Sequence, residues 1–109
     1  METRLNNITR ILDEKKALDI ETINLEGKGY ISDQIVIATA LNNKHSLSLL
    51  VNLKDELVPL GEEFLRTEED SDWSIIDLGD IIIHIMTSSH REKYNIEELL
   101  ESIKKDSQE

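Results

Sequence analysis

The chain has no cysteine, one proline, one phenylalanine and one tryptophan among its 109 residues. Without cysteine there is no disulfide, no zinc–thiolate centre and no thiol nucleophile. Aromatic content of 4% leaves the core to Ile, Leu and Val. No apolar run approaches the roughly 20 residues a membrane-spanning helix needs. The polar start, Met1-Glu2-Thr3-Arg4-Leu5-Asn6-Asn7, lacks the apolar stretch of a secretory signal. A reducing compartment, the cytoplasm by default, is therefore the expected location. Positive charge is scarce as well. Twelve Lys and Arg stand against 23 Asp and Glu, leaving a net charge of −11. Phosphate contacts need clustered cations, so direct binding to nucleic acid is disfavoured. A basic partner is favoured, because long-range attraction speeds the encounter; the competing explanation is solubility alone.

What is present fits one domain, residues 1–109, with a frayed end at 106–109. Residues 2–17 carry Leu5, Ile8, Ile11 and Leu12 at helical spacing, with Thr3 and Asn6 both candidate caps. Asp19 to Leu25 alternates as a strand does, and Gly27-Lys28-Gly29 suits a turn. Ile35-Val36-Ile37-Ala38 is apolar throughout, which suits a strand covered on both faces and paired with the first as a hairpin. Asn42 and Asn43 can cap a helix running to about Leu57, with Leu50, Leu53, Leu57 and Leu60 in a stripe and Pro59 and Gly61 ending it.

Glu62 to Asp72 holds six acids and one Arg and reads as a solvated loop. Trp73, Ile75 and Asp77 then share one strand face, with Ser74, Ile76 and Leu78 on the other. Gly79 suits the left-handed position of a tight turn. On the returning strand Ile81, Ile83 and Ile85 oppose Ile82, His84 and Met86. Thr87 to Lys93 reads as a loop or a short turn. Asn95 and Glu98 form a capping box before a helix bearing Ile96, Leu99, Leu100 and Ile103. The expected fold is α/β: one mixed sheet with flanking helices, in the order α-β-β-α-β-β-α, the central helix serving as a crossover.

Chemistry is hard to find. His45, His84 and His90 form no His-Glu-x-x-His pattern and have no dense set of ligands around them. His84 interrupts an isoleucine run, where burial would favour its neutral form and a nearby carboxylate its charged form. Asp77 and Asp80 are three apart across a corner. They could hold Mg²⁺ or share acid and base roles, accept bonds from a basic partner, or simply serve the turn. Gly27-Lys28-Gly29 lacks the spacing of a phosphate-binding loop, and no serine stands in Gly-x-Ser-x-Gly.

In order and spacing, Trp73, Asp77, Gly79, His84, Arg91 and Tyr94 resemble the ribosomal silencing factor family, also called Iojap-like proteins. Softer matches are Lys16, Ala17, Asp19, Ile20, Ser32-Asp33, Thr39, Lys44 and His45, so the resemblance runs from about residue 12 to residue 100. Departures are Gln34 for an aromatic residue, Ala40 for Gly, Asn42 and Asn43 for small hydroxyl residues and Leu100 for Trp. They bear on contacts around the second strand and central helix. The resemblance implies a nucleotidyltransferase-like architecture without that activity. It implies a factor that binds the large ribosomal subunit through its fourteenth protein and blocks the small subunit sterically, repressing translation when nutrients are scarce. A role in large-subunit assembly and a homodimer are further implications. No cofactor, metal, membrane or sequence-specific nucleic acid is implied.

The expected partner surface, around the second hairpin and the segment after it, is Trp73, Asp77, Asp80, His84, Arg91 and Tyr94, with Asp33 and Lys44 as secondary candidates; Trp73 has an alternative, capping the core. Arg91 and Tyr94 have an alternative, bracing Asp77 and His84 internally. The competing function is a Mg²⁺-dependent enzyme of nucleotidyltransferase-like fold acting on a nucleotide, which would use the aspartate pair.

Overall fold

The computed structural model describes residues 2–27, 33–70 and 72–94, and at its centre lies the strand Gln34–Ala40, buried at all seven positions. An apolar run with no polar face is stable only where both sides of a sheet are covered. In chain order the elements are α1 (Glu2–Glu14), β1 (Leu18–Asn24), β2 (Gln34–Ala40), α2 (Asn43–Leu57), a 3-10 turn (Val58–Leu60), β3 (Arg66–Glu69), β4 (Trp73–Asp77), β5 (Ile81–Thr87) and α3 (Ser88–Tyr94). The sheet runs β1-β2-β5-β4-β3. β2 and β5 are parallel, and the other neighbours are antiparallel. A parallel pair needs a crossover, which α2 supplies. The fold is therefore the mixed α/β sheet expected, with one strand more.

One face of the sheet is covered by two helices. Ile8, Ile11 and Leu12 of α1 and Leu49, Leu50, Leu53 and Leu57 of α2 pack on Val36, Ala38, Ile76, Ile81, Ile83 and Ile85. The opposite face carries a smaller cluster of Ile23, Leu25, Ile35, Ile37 and Met86, edged by Trp73 and Ile82. Asn42 caps α2, its side chain accepting the His45 N–H at 2.8 Å. Gly79 turns the β4–β5 corner at φ +96°.

Four expectations need correction. The acidic stretch contains β3, exposed at every position, whose strand form comes from pairing with β4 rather than from any apolar alternation. Residues 88–94 are helical, not a loop. Leu60 is 59% exposed, because the α-helix ends at Leu57 and the 3-10 turn Val58–Leu60 takes it off the α2 stripe. Helix α1 stops at Glu14, where Lys16 adopts φ +73° and the Ala17 N–H reaches back to the Leu12 carbonyl. The capping box at Asn95 and the helix after it lie outside the described residues.

Candidate functional site

The β4–β5 hairpin sets three candidate side chains on the face opposite α1 and α2. Trp73 pairs with Met86, Ile75 with His84, and Asp77 with Ile82. Strand alternation therefore puts Trp73, His84 and Asp77 along one surface, and each is only partly buried. Trp73 packs against the smaller apolar cluster and lies 6.4 Å from the His90 ring of α3, centroid to centroid. Its indole thus has one side in the protein and an edge toward solvent. Among the described residues His84 has no hydrogen-bond partner, and burial pushes its imidazole below the ordinary 6.5. The ring is an uncharged body between Ile37 and Ile75 of the adjoining strands.

The carboxylates are engaged differently. Asp77 Oδ1 accepts the Gly79 N–H at 2.8 Å, closing the corner on itself. Asp80 is clamped by Arg4 of α1, whose guanidinium reaches it at 2.5 and 2.9 Å. The same guanidinium grips Glu62 with two bonds of 2.8 Å. Arg4 holds the Asp80 carboxyl below its ordinary range, and the two acids in turn raise the guanidinium pKa. The Asp80 carbonyl accepts the N–H groups of both Asp33 and Gln34 at 3.0 Å. Asp33, Asp77 and Asp80 therefore gather at one end of the sheet.

Arg91 and Lys44 lie at the other end. Arg91 donates to the Asp19 carbonyl and to Thr39 Oγ1, each at 2.6 Å, and approaches Glu21 at 3.7 Å. It braces α3 to β1 and β2, not to Asp77 or His84 as the internal alternative had it. The reason is position: α3 follows β5 at the end of the sheet where β2 also finishes. Lys44 is exposed in the first turn of α2. Tyr94 closes α3, and its side chain lies outside the described residues.

Two residues gain roles that the sequence reading did not assign. Arg4 contacts partners 58 and 76 positions away, which no local pattern signals. His45 accepts the Leu41 N–H through Nδ1 at 2.9 Å and meets the Lys15 carbonyl through Nε2 at 2.8 Å. A carbonyl only accepts, so Nε2 carries the proton and Nδ1 the lone pair. The ring joins the end of α1 to the start of α2. Among the described residues no group of three or more His, Asp or Glu is placed to hold a metal ion.

A family model described as "Ribosomal silencing factor during starvation" matches residues 1–109. The chain is 34% identical to "Ribosomal silencing factor RsfS" of Zymomonas mobilis over 100 residues, covering 90% of this chain and 75% of that protein. It is 34% identical to the Haemophilus influenzae protein of the same name, covering 81% and 88%. Mouse "Mitochondrial assembly of ribosomal large subunit protein 1" is 25% identical over 100 residues, covering 87% of this chain and 44% of the relative. A crystal structure of a Bacillus halodurans protein superposes with a TM-score of 0.79 at 29% identity, covering 91% and 94%.

Proposed function

The chain belongs to the ribosomal silencing factor family, and from that premise we propose that it binds the large ribosomal subunit through its fourteenth protein. There it keeps the small subunit from joining by bulk alone, lowering translation when nutrients are scarce. The observation that carries this reading is the family match over the whole chain, joined to a partly open hairpin face bearing the family residues Trp73, Asp77 and His84.

The chemistry of that face suits a contact. Trp73 is held by apolar packing on one side, which fixes its rotamer before a partner arrives and lowers the entropy lost on binding. Asp77 uses one oxygen in its corner and keeps the other for a Lys or Arg. His84, uncharged, adds apolar area without a desolvated cation. We assign Asp80 and Arg91 to supporting roles rather than contact, since each is already tied to other elements. Asp33 and Lys44 flank it. A charge of −11 draws the domain to a basic protein and repels it from bare rRNA.

Steric blocking requires affinity and volume but no reaction. The family is named for silencing, and Asp77 and Asp80 are committed to a turn and a salt bridge rather than facing each other as a working pair. The described helices include none long and apolar enough to cross a membrane. We place the protein in the cytoplasm, where ribosomes are met. The mouse relative's name mentions assembly of the large subunit, and a part in assembly is compatible with the same docking.

The test is a sucrose gradient with lysate and tagged protein. The tag is expected with free large subunits and absent from joined ribosomes. Sedimentation only at the top of the gradient would overturn the proposal.

A further inference from the structure

Strand β3 ends the sheet, and its ladder has a readable phase. The Asp70 N–H donates to the Trp73 carbonyl directly opposite at 2.8 Å. In an antiparallel pair, bonded and unbonded positions alternate. Arg66, Glu68 and Asp70 therefore point their backbone groups at β4. Thr67 and Glu69 point theirs outward, where no described backbone bond meets them. The side chains of Thr67 and Glu69 lie on the α2 side of the sheet, opposite Ile76 and Ser74.

Alongside that edge α2 has an apolar side turned to solvent. Leu47 is 38% exposed and Val51 56%, and Val58, the first residue of the 3-10 turn after α2, is 49% exposed. Their spacing of four and seven residues aligns them on one helix stripe. Leu47 shares an open recess with Asn43, Glu69 and Asp70, which fixes the stripe beside the free edge of β3. The result is a trough with a backbone edge on one side, an apolar wall on the other and carboxylates along its rim.

We propose that this trough docks an extended, basic segment of another protein, which adds to β3 as a further strand. The free N–H and C=O groups of Thr67 and Glu69 would pair with its backbone. Alternate apolar side chains would cover Leu47 and Val51. Lys or Arg at the intervening positions would face the other side of the sheet and meet Glu68. The acidic rim selects against a second copy of this chain, which would bring its own carboxylates to the same edge. The apolar wall of the trough lies on the α2 side of the sheet, away from Trp73, and the inference does not depend on the ribosomal reading.

The probe is a fluorescein-labelled peptide of alternating Lys and Val, titrated with the full chain by fluorescence anisotropy. Saturable binding is expected, together with slowed hydrogen exchange at the Thr67 and Glu69 amides. Thr67→Pro should weaken binding at least tenfold while the fold persists, because that N–H points away from β4 and meets no described residue. The peptide N-methylated at alternate residues should weaken as much, and this arm decides the matter if Thr67→Pro does not fold. No anisotropy change, or equal binding of the N-methylated peptide, overturns the proposal. So does a sedimentation mass that halves in Thr67→Pro, since the edge would then be a self-interface. No ribosome enters these assays, so failure here leaves the test of subunit joining untouched.

Discussion

Replacing Arg4 with Met should destabilise the protein by about 2 kcal/mol at neutral pH. The guanidinium makes four bonds of 2.5 to 2.9 Å to two acids that belong to distant parts of the chain. Full burial would put the loss of one partner at roughly 3–5 kcal/mol, and full exposure at no more than about 1. The Arg4 side chain is 32% exposed, Glu62 10% and Asp80 39%, so the site falls between those limits and solvent screens the Asp80 half most. Removing the cation also leaves Glu62 and Asp80 near each other without compensation.

The pH dependence follows from Asp80. Its carboxyl is held below the ordinary 3.8, chiefly by the hydrogen bond from Arg4. A carboxyl depressed in the folded state contributes stability that is fully present above its unfolded pKa and is lost as pH falls through its folded pKa. The gap between wild type and Arg4→Met should thus be constant from pH 7 to pH 5 and narrow below about 4. Urea denaturation at pH 7, 5 and 3 reads both quantities. A double-mutant cycle with Asp80→Asn should return a coupling near 1 kcal/mol. Equal stability of the two proteins at pH 7, or a gap unchanged at pH 3, would refute the staple.

Other outcomes follow from single positions. Leu53, fully buried between α2 and the sheet, should cost about 3 kcal/mol on change to Ala, measured by urea denaturation. Gly79→Ala should lower stability by about 1–2 kcal/mol in the same assay, since φ is +96° and the new Cβ would stand 3.3 Å from Leu65 Cδ1. His84 is pushed below 6.5 by burial, so the unfolded chain takes up a proton that the native state refuses. Stability should therefore fall as pH drops below about 6.5, and His84→Gln should flatten that slope between pH 6.5 and 5. Trp73→Ala should abolish large-subunit binding in a pull-down while circular dichroism keeps the α/β spectrum; retained binding would move the contact elsewhere.

The elements easiest to read from the sequence were those whose reason for existing is local. Ile35 to Ala38 announces a strand covered on both faces, and Asn42 announces a cap, because apolar continuity and a short acceptor side chain act on their immediate neighbours. The alternation of Trp73 to Asp77 likewise foretold which residues share a face. Strand β3 was illegible, since Arg66-Thr67-Glu68-Glu69 has no apolar side and becomes a strand only when β4 offers it a ladder. Helix α3 was missed for a related reason: Ser88-Ser89-His90-Arg91 shows no stripe, and long-range bonds from Arg91 hold it to the sheet. The engagement of Asp80 was equally hidden, because its partner lies 76 residues earlier. The resemblance named residues, and the fold shows that Trp73, His84 and Asp77 share one strand face while Asp80 and Arg91 are tied to α1 and to β1 and β2.

The most direct measurement is light scattering after separated large and small ribosomal subunits are mixed at a magnesium concentration that joins them. Added at equal molarity to large subunits, the protein should suppress the rise in scattering, and Trp73→Ala should not. A full rise in scattering with the wild-type protein bound to the large subunit would contradict the account.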